Sequence, residues 1–186
     1  MGEPYNSLNH FKSATTYRLL VAPADENYFL ARWCRINRFH AEFFWQAQQS
    51  IEKYMKAGLV VNDVPVQGLR HNLSMAFEKY RLAFGELAPQ KFEKPRSLSK
   101  ALWRPKSTER FLQKLETQGH PDSRYRLISW FNEPSDLFML DQLVFSLRRM
   151  TVGMHWTVGI DWKVPAAQQR YNGRRFDDVL RASPRF

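Results

Sequence analysis

Arginines, histidines and one tryptophan set among cations are the side chains of this chain whose types and spacing could do chemistry. Arg32, Arg35 and Arg38 recur at three-residue steps, a spacing that serves either a solvated helix face or a groove for a polyanion. Between Gln90 and Arg110, Trp103 lies among Lys91, Lys94, Arg96, Lys100, Arg104, Lys106 and Arg110. A tryptophan in that setting stacks on a nucleobase or pins a loop to the body, and pinning is the preferred reading. The five histidines, His10, His40, His71, His120 and His155, show no ligand spacing such as His-x3-His, so no metal is expected. No glycine-rich phosphate loop and no Gly-x-Ser-x-Gly elbow occurs, and no cofactor is expected. The single Cys34 rules out an intrachain disulfide and reads as a buried or half-buried thiol rather than a nucleophile. Glu52, Lys53 and Tyr54 read as a surface pair beside a core tyrosine rather than an acid–base cluster.

The elements that must position these residues are helices. From Ala41 to Val61, Phe44, Ala47, Ile51, Tyr54, Met55 and Gly58 recur at steps of three and four, a stripe of period 3.6, and Glu52 precedes Lys56 by four in the favourable order. A first helix is expected from about Ala24 to Arg38, opened by Pro23 with Asp25 and Glu26 in its first turn, with Tyr28, Ala31, Cys34 or Arg35, and Phe39 on one stripe. Pro65 closes the second helix. A third runs from the Arg70-His71-Asn72 turn to about Leu87, stopped by Pro89. Ser107 opens a short helix to about Thr117. Leu137, Leu140, Val144, Leu147 and Thr151 predict a last long helix from about Asp136 to Val152. Ala14–Ala22 is either a helical turn or an extended lead-in, and Ser123–Phe131 an extended connector or a short helix. No internal repeat is present.

Composition sets the class. The chain has 186 residues, 44% hydrophobic and 15% aromatic, enough for one domain with a core that needs no disulfide. Its formal charge is +10, which favours an anionic partner through long-range attraction whatever the fold. No apolar run approaches the roughly 20 residues that span a bilayer, and the N-terminal residues lack the apolar centre of a signal peptide, so a cytoplasmic protein with no membrane partner is expected. Asn6 stands where a myristoylation motif wants Ser or Thr.

Asp25-Glu26-Asn27-Tyr28, the arginine in the first helix, and the aromatics leading into Ser50-Ile-Glu-Lys-Tyr-Met-Lys-Ala57 resemble the first two helices of HEPN domains (higher eukaryotes and prokaryotes nucleotide-binding). Arg70-His71-Asn72 is similar to the short histidine motif that opens their third helix, and Leu140–Arg149 to the last long helix of one bacterial branch. The resemblance covers roughly residues 23 to 150. It implies an all-α, up-and-down bundle of four to five helices, HEPN-like; the composition of this chain adds a basic inter-helix insert at 90–110 and an irregular C-terminal tail. The expected divisions are an arm over 1–22, a bundle over 23–156 and a basic tail over 157–186.

Many HEPN ribonucleases use an Arg-x4-6-His motif, two protomers bringing arginine and histidine together at a dimer cleft. The resemblance implies that pattern at Arg149 and His155, with His155 as general base or acid and Arg149 stabilising charge on the phosphate, without metal. Met150 follows Arg149 where the family has a polar residue, whereas starting from Arg148 restores one. A step of six residues is about 600° of helix, so Arg149 and His155 share a site only through a break at Gly153 or a partner subunit. The alternative is that Arg148 and Arg149 are exposed cations at a helix C-terminus, where the dipole favours them, with His155 incidental. Arg35 and His40 satisfy the same loose pattern by chance, and His71 reads first as part of a turn before its helix.

The expected function is a HEPN-like module that binds nucleotide or RNA through Arg32, Arg35, His71, Trp103 and Arg104, or a non-catalytic partner-binding dimer formed through the last helix. A metal-independent endoribonuclease of toxin or defence type, using Arg148 or Arg149 with His155, is the first alternative, and a nucleotidyltransferase or other antitoxin-type partner would accompany it. A scaffold without a nucleic-acid role is the second.

Overall fold

The structure, a computed structural model, describes residues 11–120 and 132–151. These residues are all-α, with no strand among them. The Ser123–Phe131 segment, the break at Gly153, His155 and the basic tail lie outside the described residues.

The chain is helical without interruption from residue 11 to Ile36, but its pitch changes on the way. Tyr17–Val21 forms a π turn in which the Ala22 N–H reaches the Tyr17 carbonyl, and α1 then spans Ala22–Ile36. Pro23 supplies the reason. It has no N–H to give the carbonyl of Leu19, and its ring would crowd that carbonyl in a regular helix, so the turn ahead of it widens. The lead-in at 14–22 is therefore helical, and Pro23 is absorbed into a longer helix instead of starting one.

Both long helices end in the same way. After α1, Phe39 N–H bonds the Cys34 carbonyl at 2.8 Å and Arg38 N–H the Arg35 carbonyl at 3.4 Å, with Arg38 left-handed at φ 64°. After α2, His40–Val61, Val64 N–H bonds the Leu59 carbonyl at 2.9 Å and Asp63 N–H the Val60 carbonyl at 3.1 Å, with Asp63 at φ 59°. These are Schellman closures in which Arg38 and Asp63 stand where glycine is the cheaper residue. The apolar contact that accompanies such a closure is the Trp33 ring stacked on Phe39, centroids 5.5 Å apart. Phe39, expected on the core stripe, is instead exposed.

Three further helices follow. Asn72 Oδ1 accepts the Met75 N–H at 2.6 Å and caps α3, Leu73–Phe84; its buried face is Leu73, Ala76, Phe77 and Tyr80, while Met75 and Leu82 face outward. Ser107 Oγ accepts the Arg110 N–H at 3.3 Å and caps α4, Thr108–Gly119. Pro134 opens α5, Pro134–Thr151, at the first position, where its missing N–H costs nothing.

At the centre is α2, which packs against α1, α3, α4 and α5. The stripe read from the sequence is buried, but so are Phe43, Gln48, Ser50, Glu52, Ala57 and Leu59, because neighbours cover this helix on several sides. It runs antiparallel to α1: Asn27 bonds Gln46 at 2.6 Å near the hairpin, and Ser50 Oγ bonds the Ala24 carbonyl at 3.0 Å further along. Contact with α3 is close at Gly58, where a Cβ would lie 2.8 Å from the Tyr80 ring.

The tail of α4 approaches α2 more tightly still. A Cβ on Gly119 would sit 2.6 Å from both the Phe44 carbonyl oxygen and Gln48 Oε1, so a backbone would have to move. Gly119→Ala is expected to destabilise by about 1–3 kcal/mol, measured as a lower urea midpoint with unchanged slope.

The insert is a strap laid over the body. Phe92 and Leu98 are buried, Trp103 packs against the core, and Phe92 meets Phe111 edge-on. Its backbone is tied to α5 at Glu93, whose N–H and carbonyl both bond the Gln142 amide, at 2.8 and 2.7 Å.

Candidate functional site

Where α1 meets α2 and α5, the core carries charge. Asp25 on α1 accepts Arg148 Nε at 3.1 Å and a short hydrogen bond from the Tyr54 hydroxyl on α2. One heptad along α1, Arg32 pairs with Asp141 on α5, and the Tyr28 hydroxyl donates to the same carboxylate at 2.6 Å while accepting from Arg32 at 3.2 Å. Arg32 and Arg148 are each 4% exposed. Burial, then the adjacent carboxylate, pushes both phenols well above their usual range. For Arg32, burial works against the charge, but Asp141 and Tyr28 outweigh it and raise its pKa. Each guanidinium is already satisfied by a carboxylate, which is the arrangement of a structural ion pair, not of a phosphate ligand.

A second cluster lies where α4 meets the start of α5. Lys114 Nζ bonds both Asp136 oxygens, at 2.9 and 2.7 Å, and Glu133 Oε2 at 3.1 Å; Lys106 pairs with the same Glu133 oxygen. Burial pushes the Asp136 carboxyl up despite Lys114, whereas the two lysines overcome burial at Glu133 and hold it below the usual range. Arg35 is within reach of Asp136's field, yet burial lowers its pKa, and its Nε has no hydrogen-bond partner among the described residues. At the start of α2, His40 Nδ1 meets Asn132 Nδ2 at 2.9 Å.

The third group is open to solvent. His71 follows Arg70, which is held at φ 43°, and its Nδ1 lies 3.0 Å from Oε2 of buried Glu52. The other Glu52 oxygen takes Lys56 at 2.6 Å, and Lys56 also bonds the Arg70 carbonyl at 2.7 Å. The imidazole side chain is 71% exposed. A carboxylate that orients one ring nitrogen leaves the other for proton transfer or for a hydrogen bond to an anion. Glu52 is thus buried, and its lysine pair is the back of this group, not a surface ornament.

No family model matches the chain, and neither does any curated protein or solved structure. No helix among the described residues is long and apolar enough to cross a membrane.

The residues singled out from the sequence fall in separate places. Arg148 is not an exposed cation at the end of α5; it is buried against Asp25. Arg149, the next residue, is exposed. Arg32 is inside, because its position on α1 faces α5, so the three-residue arginine spacing is not one solvated face. Arg104 is exposed, with its carbonyl accepting from Ser135 Oγ at 3.3 Å, and Trp103 rests against the core. Cys34 is buried, and burial with Glu42 nearby pushes its thiol up, which makes it a poor nucleophile. The Glu52–His71 contact was not visible in the sequence, since 19 residues separate the two and no local pattern links them.

Proposed function

We propose that the chain is a HEPN-like module that binds RNA or nucleotide without catalysis, or serves as a partner-binding homodimer. The observation that carries the RNA reading is the strapped insert. Its apolar residues are used to fix it to the bundle, while Lys91, Lys94, Arg96, Lys100, Arg104 and Arg110 stay exposed. Cations on an ordered strap give a phosphate chain a preformed track, and the +10 charge of the chain favours approach. His71, on its Glu52 support, adds a hydrogen-bonding nitrogen elsewhere on the surface.

A salt titration tests this reading. Affinity for a single-stranded RNA oligomer is expected to fall linearly on a log–log plot, and the triple variant Lys91→Ala, Arg96→Ala, Lys100→Ala should flatten the slope by roughly 2, at about 0.7 per lost phosphate contact. Binding that ignores both salt and the triple variant would refute the track.

One observation favours the ribonuclease reading: Arg149 is exposed at the end of α5 and holds no salt bridge among the described residues. In that reading Arg149 and His155 act together, and Arg148 supports the helix end through Asp25. RNA cleavage in EDTA that disappears in His155→Ala would select it.

A further inference from the structure

The strap lies along one helix, and that helix carries an open ring. Glu93 bonds the Gln142 amide through its N–H and carbonyl, the Arg104 carbonyl takes Ser135 Oγ, and Lys106 pairs with Glu133 just ahead of Pro134. The anchors on α5 thus run backwards as the strap runs forwards. Beyond the Gln142 anchor, Phe145 (41% exposed) and exposed Arg149 follow at three and seven residues, on the face of α5 opposite buried Val144, Leu147 and Thr151. Arg149 stands about 10 Å past Gln142 along the helix, with the Phe145 ring between.

The charges around this ring favour an anion. From Gln142 to Thr151 α5 has no acid, and Glu93 is the only acid between Gln90 and Lys106. Lys91, Arg96, Lys100, Arg104 and Arg149 are exposed and hold no ion pair among the described residues, whereas Lys94 gives its ammonium to the Pro95 and Leu98 carbonyls. A phosphate chain that follows these cations crosses Phe145. Trp103, the strap's own large aromatic, rests against the core. Exposed Phe29, Trp33 and Phe39 belong to α1 and its cap, whereas the strap is anchored on α5. Phe145 is thus the ring beside the track, and a phenyl face takes any nucleobase that is free of a duplex.

We infer that Phe145 is a stacking platform for an unpaired nucleobase, and that the strap and α5 together form a single-strand site running from Arg104 to Arg149. This rests on the RNA reading above and names its substrate class, a single strand and not a duplex.

Fluorescence anisotropy of the full chain with a labelled single-stranded RNA oligomer, a duplex of the same length and an abasic oligomer tests it. Phe145→Ala should weaken the single strand about 5- to 100-fold with its salt slope unchanged, because a ring and no charge is lost, while Phe145→Trp holds or gains affinity. Circular dichroism should be retained in both, and duplex and abasic affinities should respond to neither. Arg149→Ala should flatten the slope by about 0.7. Equal losses on all three ligands, or no loss in Phe145→Ala while the strap's triple variant flattens the slope, would overturn the platform and leave the RNA reading intact. Wild type that binds none of the three would overturn both. If Phe145→Ala breaks a dimer in sedimentation and leaves RNA affinity unchanged, the face is a protein contact and the inference fails.

Discussion

Asp141→Ala should lower the unfolding free energy by about 3 kcal/mol, the low end for a broken buried pair because one edge of the carboxylate reaches solvent. Two partners are stranded at once. Arg32, with a side chain 5% exposed, loses its counter-charge, and the Tyr28 hydroxyl loses the oxygen 2.6 Å away. Burial raises the Asp141 carboxyl by more than Arg32 and the Tyr28 hydroxyl pull it back down, so desolvation outweighs the pairing at this carboxylate. That cost makes the complementary result as informative: Arg32→Met with Asp141→Leu should recover most of the loss, since apolar replacement of a whole buried pair is often neutral or favourable. Thermal melting reads both, with the single variant expected about 6–12 °C below wild type. A single variant within 1 kcal/mol of wild type would show that Arg32 finds water or another acceptor.

Lys114→Met should cost about 3–5 kcal/mol near neutral pH, and the loss should shrink in acid. Among the described residues Lys114 is the only ammonium bonded to Asp136, whose side chain is 0% exposed, whereas Glu133 keeps Lys106. Asp136 already sits above the usual carboxylate range through burial, and without Lys114 it rises further. A carboxyl with a folded pKa above its unfolded value binds its proton more tightly in the fold, so its contribution is fully present at low pH and is lost as pH rises through the folded value. Glu133 behaves oppositely: held low, it stabilises above the unfolded glutamate value and loses that contribution as pH falls through its folded pKa. Wild type and variant curves of stability against pH should therefore converge toward acid. Curves parallel from pH 7 down to the carboxylate range would mean that Asp136 does not titrate with the fold.

The helices were legible because their signals are local. Apolar period fixed α2 to within a residue, and the turn and cap residues Asn72 and Ser107 marked the starts of α3 and α4. The limits of α1 came out two residues late, since a proline reads as a start and only the widened turn before it shows the helix passing through. Which charges lie inside was the harder matter. Arg32, Arg35 and Arg38 look alike in sequence, yet α5 covers the first, the second is half-buried with an Nε that meets no acceptor among the described residues, and the third sits in the open at a helix end. One signal was available: Asp25 and Arg32 are spaced like Asp141 and Arg148, acid then base seven residues on, in helices that pair. The Glu52–His71 contact had no such marker, because it depends on how the link from α2 to α3 folds back.

That shared spacing works as a vernier. Asp25 with Arg148 and Arg32 with Asp141 match at a single alignment of the two antiparallel helices. Sliding α5 by one turn leaves all four ions without a mate in the interior. Sliding it by two turns confronts Asp25 with Asp141 in one direction, or Arg32 with Arg148 in the other. Leucine and valine contacts would tolerate either slip, so it is these four charges that number the helices against each other, and a variant with all four made apolar should keep its helix content while losing its single arrangement.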